Sequence, residues 1–174
     1  MDDFSILQST PLFHGLSAEA LDGLLGRLGA VRRSYIRGAV LVQAGQPSRS
    51  VGIILAGAIE AVRLAPDGSR LPITRMGPGG VFGDVLGGSS LTSPVTVTAR
   101  SPCEVLLVPY DRLLRPDGSA AGQQVLQNLV RTISDKYFLL ARRVDLLLLR
   151  SLRAKVSAYL LAEAERAGQL TFRI

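Results

Sequence analysis

Gly79, Gly80, Gly83 and Asp84 are the residues of this chain with the clearest chemical potential. Three glycines within five positions let a turn present backbone amides, and neighbouring amides make a concavity that suits an oxyanion. Asp84 could accept a hydroxyl beside them. Its bland alternative is a turn or helix-capping acid. A short linker then leads to Pro94–Ala99, a β-rich run. A phosphate cradle also needs a cation, yet residues 85–99 contain no Lys and no Arg.

Other chemistry is sparse. The chain has one histidine, His14, and one cysteine, Cys103. That excludes a disulfide framework, a cysteine-built zinc or iron–sulfur site, and a metal cupin, which takes two or three histidines. No Ser-His-Asp set and no Walker loop is present. Gly77-Pro78-Gly79-Gly80 lacks a following Lys-Ser or Lys-Thr and reads as a turn. No metal site and no enzyme is expected.

The elements that would hold the cassette follow from periodicity. Residues 5–30 read as helical, with Ser17 as an N-cap and Leu21, Leu24, Leu25 and Leu28 at helical spacing. Short strand-like runs follow at Ala39–Val42, Ser50–Leu55, Ala58–Leu64, Leu71–Arg75, Val95–Ala99 and Glu104–Val108. Pro66-Asp67-Gly68 between two of them signals a hairpin. Beyond Pro116-Asp117-Gly118-Ser119, a break and cap, Leu126, Val130, Ile133, Tyr137, Leu140, Val144 and Leu147 alternate spacings of four and three. That is a heptad seam suited to a parallel dimer. A last helix, Leu152–Ala167, ends at Gly168. The fold class is α+β: an antiparallel β-roll or jelly roll flanked by an N-terminal helix and a long C-terminal dimerisation helix. The expected divisions are 1–118, 119–150 and 151–174.

Net charge is +6, and residues 119–174 hold nine Lys and Arg against four Asp and Glu. A basic C-terminal third is either a solvated helix face or the electrostatic footprint of nucleic acid. No run reaches the roughly 18 apolar residues of a membrane span. The acidic start, Met1-Asp2-Asp3, is unlike a signal peptide. With a single cysteine, a reducing cytoplasm is the expected compartment.

The ordered set Pro11-Leu12-Phe13, Leu16-Ser17, Gly38, Gly45, Leu55-Ala56-Gly57, Asp67-Gly68, Gly77-Pro78-Gly79, Phe82-Gly83-Asp84, Thr96–Ala99 and Cys103-Glu104-Val105 resembles the Crp/Fnr superfamily of bacterial transcription regulators. The resemblance covers essentially the whole chain. It implies a β-roll sensor, a dimerising helix and the start of a DNA-binding domain at 151–174, whose helix-turn-helix would lie past Ile174. The chain therefore reads as a truncated member. In cyclic-nucleotide binders of that family an Arg on the strand after the cassette pairs with the phosphate. Counting back from Ala99, that position is Ser93, and Pro94 takes its hydroxyl neighbour. The purine-facing region of the long helix falls near Leu140-Ala141, both apolar.

The expected effector pocket is Gly83, Asp84, Leu86, Ser93, Pro94, Tyr137, Leu140 and Ala141, and cyclic AMP is not the expected ligand. The expected partners are a second copy of the chain, DNA through the absent domain, and an effector of unknown identity. Arg142 or Arg143 could supply a ligand-facing charge, although flanking charges that set pairing are the commoner case. Two alternatives stand beside this reading. One is a ligand-free module that only dimerises. The other is a haem-based gas sensor of the same family, with His14 and Cys103 as the residues to examine; haem is not expected.

Overall fold

A computed structural model of the chain describes residues 3–65, 67–83 and 92–168, apart from the side chains at 166 and 167. Pro66, Asp84 and Leu86 lie outside the described residues. Two compact units divide the chain, Met1–Thr132 and Ile133–Ile174. The division falls inside the long helix, whereas the sequence placed boundaries at 118/119 and 150/151.

The first unit begins with α1 (Asp3–Ser9), a 3-10 turn (Pro11–Phe13) and α2 (Ala18–Leu28). The sequence suggested one helical stretch here. It breaks because Thr10, which is fully buried, donates its hydroxyl to the Leu7 carbonyl at 2.6 Å and caps the turn that Pro11 opens. Ser17 caps α2, accepting from the Ala20 amide at 3.3 Å.

Eight described strands form two four-stranded antiparallel sheets. One has the order β1 (Val31–Tyr35), β8 (Cys103–Pro109), β3 (Ser50–Ala56), β6 (Val81–Phe82). The other has the order β2 (Val40–Val42), β7 (Thr96–Ala99), β4 (Ile59–Leu64), β5 (Arg70–Met76). The six strands anticipated from the sequence are all present. β1 and β6 were not anticipated. β1 is an edge strand whose Arg32 pairs with Asp3 at 2.6 Å and with Glu104. Charged edges of that kind carry no apolar alternation. β6 is only two residues long.

The core lies between the sheets, where Ile54, Ile59, Ala61, Phe82, Val97, Ala99, Cys103 and Val105 pack together. Val51, Ile53 and Leu55 alternate with the core-facing residues of β3 and are also buried. β3 is thus covered on both faces, as its continuous apolar run requires.

The short α3 (Tyr110–Leu114) leads to α4 (Ala120–Leu148). Asp117 accepts from the Ser119 amide at 3.0 Å, and the Ser119 hydroxyl accepts from the Gly122 amide at 3.0 Å. This fixes the start of α4 by the usual N-cap bond. In the second unit α5 (Leu152–Ala167) is capped by Ser151 and closed by Gly168 at φ +64°.

Candidate functional site

Phe82 anchors the cassette. It is 6% exposed, and its ring lies across Gly52, its direct partner on β3. Gly83 follows at φ +78°, where a Cβ would come within 2.6 Å of the Ser50 carbonyl oxygen. A left-handed residue pressed against a neighbouring backbone has to be glycine. The sequence assigned Gly83 to a turn, and that is its conformation.

The glycines before it play a different part from the one expected. The Gly79 amide donates to the Ile54 carbonyl at 2.8 Å, and the Gly80 amide donates to the Gly77 carbonyl at 2.9 Å. In return the Gly80 carbonyl accepts from the Ile54 amide at 3.0 Å. The Gly79 amide ties the turn to β3 and the Gly80 amide closes the turn itself, so neither is presented to an anion. Asp84, the acid that would complete the cassette, and Leu86 lie outside the described residues.

Ser93 stands at the position where the resemblance places a phosphate-pairing arginine. It is 2% exposed. Its hydroxyl donates to the Val95 carbonyl at 2.7 Å and accepts from the Val95 amide at 3.3 Å. Its amide donates to the Gln46 carbonyl and its carbonyl accepts from the Gly45 amide, both at 2.9 Å. The Thr96 hydroxyl accepts from the Ala44 amide at 3.2 Å. Residues 93–96 and 44–46 are therefore laced together, with Pro94 exposed at the surface.

Arg100 does not replace the missing cation. Residues directly opposite in the ladder share a face. Val97, Ala61 and Thr74 make one row toward the core, and Thr98, Glu60 and Arg75 make the next row on the outer face. Glu60, 8% exposed, accepts from Arg75 Nε at 2.7 Å, and Arg100 Nη1 approaches it at 3.7 Å. The Arg75 hydrogen bond, with the nearby guanidinium of Arg100, holds the Glu60 carboxyl below its ordinary range. Thr74 is exposed although its row partners Ala61 and Val97 are buried, so the inner row is uncovered at that position.

The haem candidates sit in unlike places. His14 is exposed in the turn before α2, and Cys103 is buried in the core between the sheets, where desolvation raises its thiol pKa. The described residues contain no cluster of three or more His, Cys, Asp or Glu able to hold a metal ion. No helix among them is long and apolar enough to cross a membrane.

In the second unit Tyr137 and Leu140 are exposed and Ala141 is half-buried. The Tyr137 and Phe138 rings meet edge to face at 5.6 Å. Along α4, Val125, Asn128 and Leu129 are buried, whereas Val130, Tyr137, Leu140, Val144 and Leu147 are exposed. Leu126 and Ile133 are half-buried. Asn128 was missed by sequence reasoning. Its amide donates to the carbonyls of Leu12 at 3.1 Å and His14 at 2.9 Å, tying α4 to the turn before α2. With Gln123, Gln124 and Gln127 close by in the sequence, no local signal set Asn128 apart.

The cyclic nucleotide-binding domain family matches residues 32–115. The "CRP-like cAMP-activated global transcriptional regulator" of Mycobacterium tuberculosis is 27% identical over 165 residues, which is 94% of this chain and 71% of that protein. The fold is that of the catabolite activator protein of Thermus thermophilus (TM-score 0.69, 23% identity), aligned over 79% of this chain and 63% of that one. It is also that of the sensor domain of the regulator DNR from Pseudomonas aeruginosa (TM-score 0.65, 20% identity), with coverages of 85% and 93%. The chain thus spans under two thirds of the Thermus protein. The two-sheet roll followed by a long helix thus has the fold of these regulators' sensor domains, and residues 32–115 match the cyclic nucleotide-binding domain.

Proposed function

We propose that this chain is the effector-sensing and dimerisation portion of a transcription regulator that does not answer to cyclic AMP. The observation that carries the proposal is Ser93. A guanidinium clamp needs a side chain that reaches the ligand phosphate. Here the equivalent residue is buried, and its hydroxyl is held by Val95. The engaged amides of Gly79 and Gly80 weaken the cradle further. The mycobacterial relative carries cAMP activation in its name; at 27% identity that property need not carry over to a chain with Ser93. Titration calorimetry with cyclic AMP should show no heat of binding at concentrations well above micromolar. Micromolar binding would overturn the reading.

Dimerisation is supported by the geometry of α4 alone. At 100° per residue, Leu126, Val130, Ile133, Tyr137, Leu140, Val144 and Leu147 cluster on a stripe about a quarter-turn from buried Val125 and Leu129. One stripe serves the fold and the other is left for a second copy. Such a seam would bury apolar surface at roughly 25 cal/mol per Å². An effector would act by preferring one arrangement of the paired helices. DNA contact would belong to a domain following α5. Changing Val130 and Tyr137 together to Asp should give monomers in sedimentation velocity, and a surviving dimer would reject the seam.

The second reading, a roll that dimerises without a small ligand, draws on the same self-satisfied Ser93. The exposed Thr74 on the inner row favours an effector instead, because a ligand-free roll would gain by covering that row.

A further inference from the structure

A cavity that shares no lining residue with the cassette lies where α2, α3 and the first turns of α4 meet. Its volume is about 160 Å³. Leu24, Leu28, Leu113 and Val125 line it, and all four are buried. Arg27, Arg112, Arg115 and Asp117 complete the wall. Three arginines and one aspartate thus share the wall. That carboxylate is already engaged: Asp117 pairs with Arg27 and accepts from Ser119. The described ion pairs include no partner for Arg112 or Arg115. Gly122 permits the arrangement, since a Cβ there would meet Asp117 Oδ1 at 2.7 Å.

An apolar floor under two uncompensated arginines has a definite chemical complement. The floor suits a hydrocarbon group, and about 150 Å³ is enough for one of benzene size. The rim suits a planar oxyanion, which a guanidinium fork meets with two hydrogen bonds. We propose that this cavity binds a small organic acid, of one ring or a short branched chain, with its carboxylate held by Arg112 and Arg115. Bulk inorganic phosphate would leave the floor unfilled, and a neutral ring would leave the arginines unpaired. The occupant would rest against Pro116, Gly122 and Val125, where α4 begins. Acid binding would therefore bear on the start of the helix that carries the heptad seam.

The test uses benzoate as probe, with benzamide and inorganic phosphate as comparators, on the ¹⁵N-labelled chain. Benzoate should shift the amides of Gly122, Val125 and their neighbours saturably, and benzamide should bind at least about tenfold more weakly. Arg112→Gln with Arg115→Gln should abolish that preference while leaving the remaining spectrum in place, since both side chains are at the surface. The proposal is overturned if benzamide matches benzoate, if phosphate binds and benzoate does not, or if the double variant binds benzoate as the parent does. A Leu28→Phe variant, which fills the floor, should also lose benzoate with both arginines present. Retained binding there would overturn the assignment of the floor.

Discussion

Placing a methyl group on Gly52 should unseat Phe82. A Cβ built on Gly52 lies 2.2 Å from Phe82 Cζ, 2.5 Å from Cε1 and 2.7 Å from Cε2. Carbon atoms rest about 3.5–4.0 Å apart, so the ring tip must retreat by roughly 1.5 Å. It has nowhere to go, because Phe82 is 6% exposed and packed in the core between the sheets. Overpacking of this kind costs about 1–3 kcal/mol, and replacing Gly by Ala in a strand returns roughly 0.5–1 kcal/mol. Gly52 has no positive φ, so no backbone strain enters the balance. Gly52→Ala alone should therefore destabilise by about 1–2 kcal/mol, and Phe82→Ala alone by about 3–5 kcal/mol. In the double variant the new methyl occupies the space of the lost ring, and the overpacking term disappears. The double variant should then be at least as stable as Phe82→Ala, a coupling of about 1–3 kcal/mol. Urea denaturation at fixed chain concentration measures this. The chain has no tryptophan, so far-UV circular dichroism is the suitable signal. Additive single effects, or a neutral Gly52→Ala, would refute the account of how Phe82 is seated and with it how the cassette is positioned.

Two further stability tests probe the same supports. Gly83→Ala should cost about 2 kcal/mol or more, from left-handed strain plus contact with the Ser50 carbonyl, whereas Gly26→Ala, in α2 with nothing within 4 Å of its Cβ, should be neutral or stabilising; equal effects in urea denaturation would contradict the assigned geometry. The Ser119 hydroxyl and amide, with Arg27 beside them, hold the Asp117 carboxyl down at about 2. A depressed pKa contributes stability that is complete above the ordinary value of 3.8 and is lost as the pH falls through about 2. The urea midpoint should fall across that window in the parent and less so in Asp117→Asn, and parallel curves would remove Asp117 from the cap.

The strands and the long helices were legible because each rests on local periodicity. Ile59–Leu64 and Ser50–Ala56 are β-rich runs closed by glycine turns, and 120–148 keeps an apolar repeat. What escaped depends on partners distant in the chain. β1 exists because Val31–Tyr35 pairs with β8, more than 65 residues on, and its Arg32 answers Asp3 and Glu104. The amides of Gly79 and Gly80 looked available to a ligand, because nothing local reveals that the first would find Ile54. The charge pattern that marks the cavity is scattered over α2, α3 and the loop at 115–117, and only the fold collects it.

The buried polar residues of the described chain are Thr10, Glu60, Ser93 and Asn128. Each is satisfied, and each joins segments or rows that apolar packing alone would let slide. Thr10 fixes the angle between α1 and the following turn, Asn128 holds α4 to the carbonyls of Leu12 and His14, and Glu60 gathers Arg75 and Arg100. Ser93 belongs to this group, since its backbone locks residues 45 and 46 and its hydroxyl closes the turn into β7. A buried polar group left without its partner costs about 1–3 kcal/mol. Putting an arginine at 93 would thus remove a lacing point and force a charge into a site built for a hydroxyl, before it could meet any phosphate. The missing clamp is not a gap that one substitution would refill. It is a loop whose polar groups are already paired within the chain.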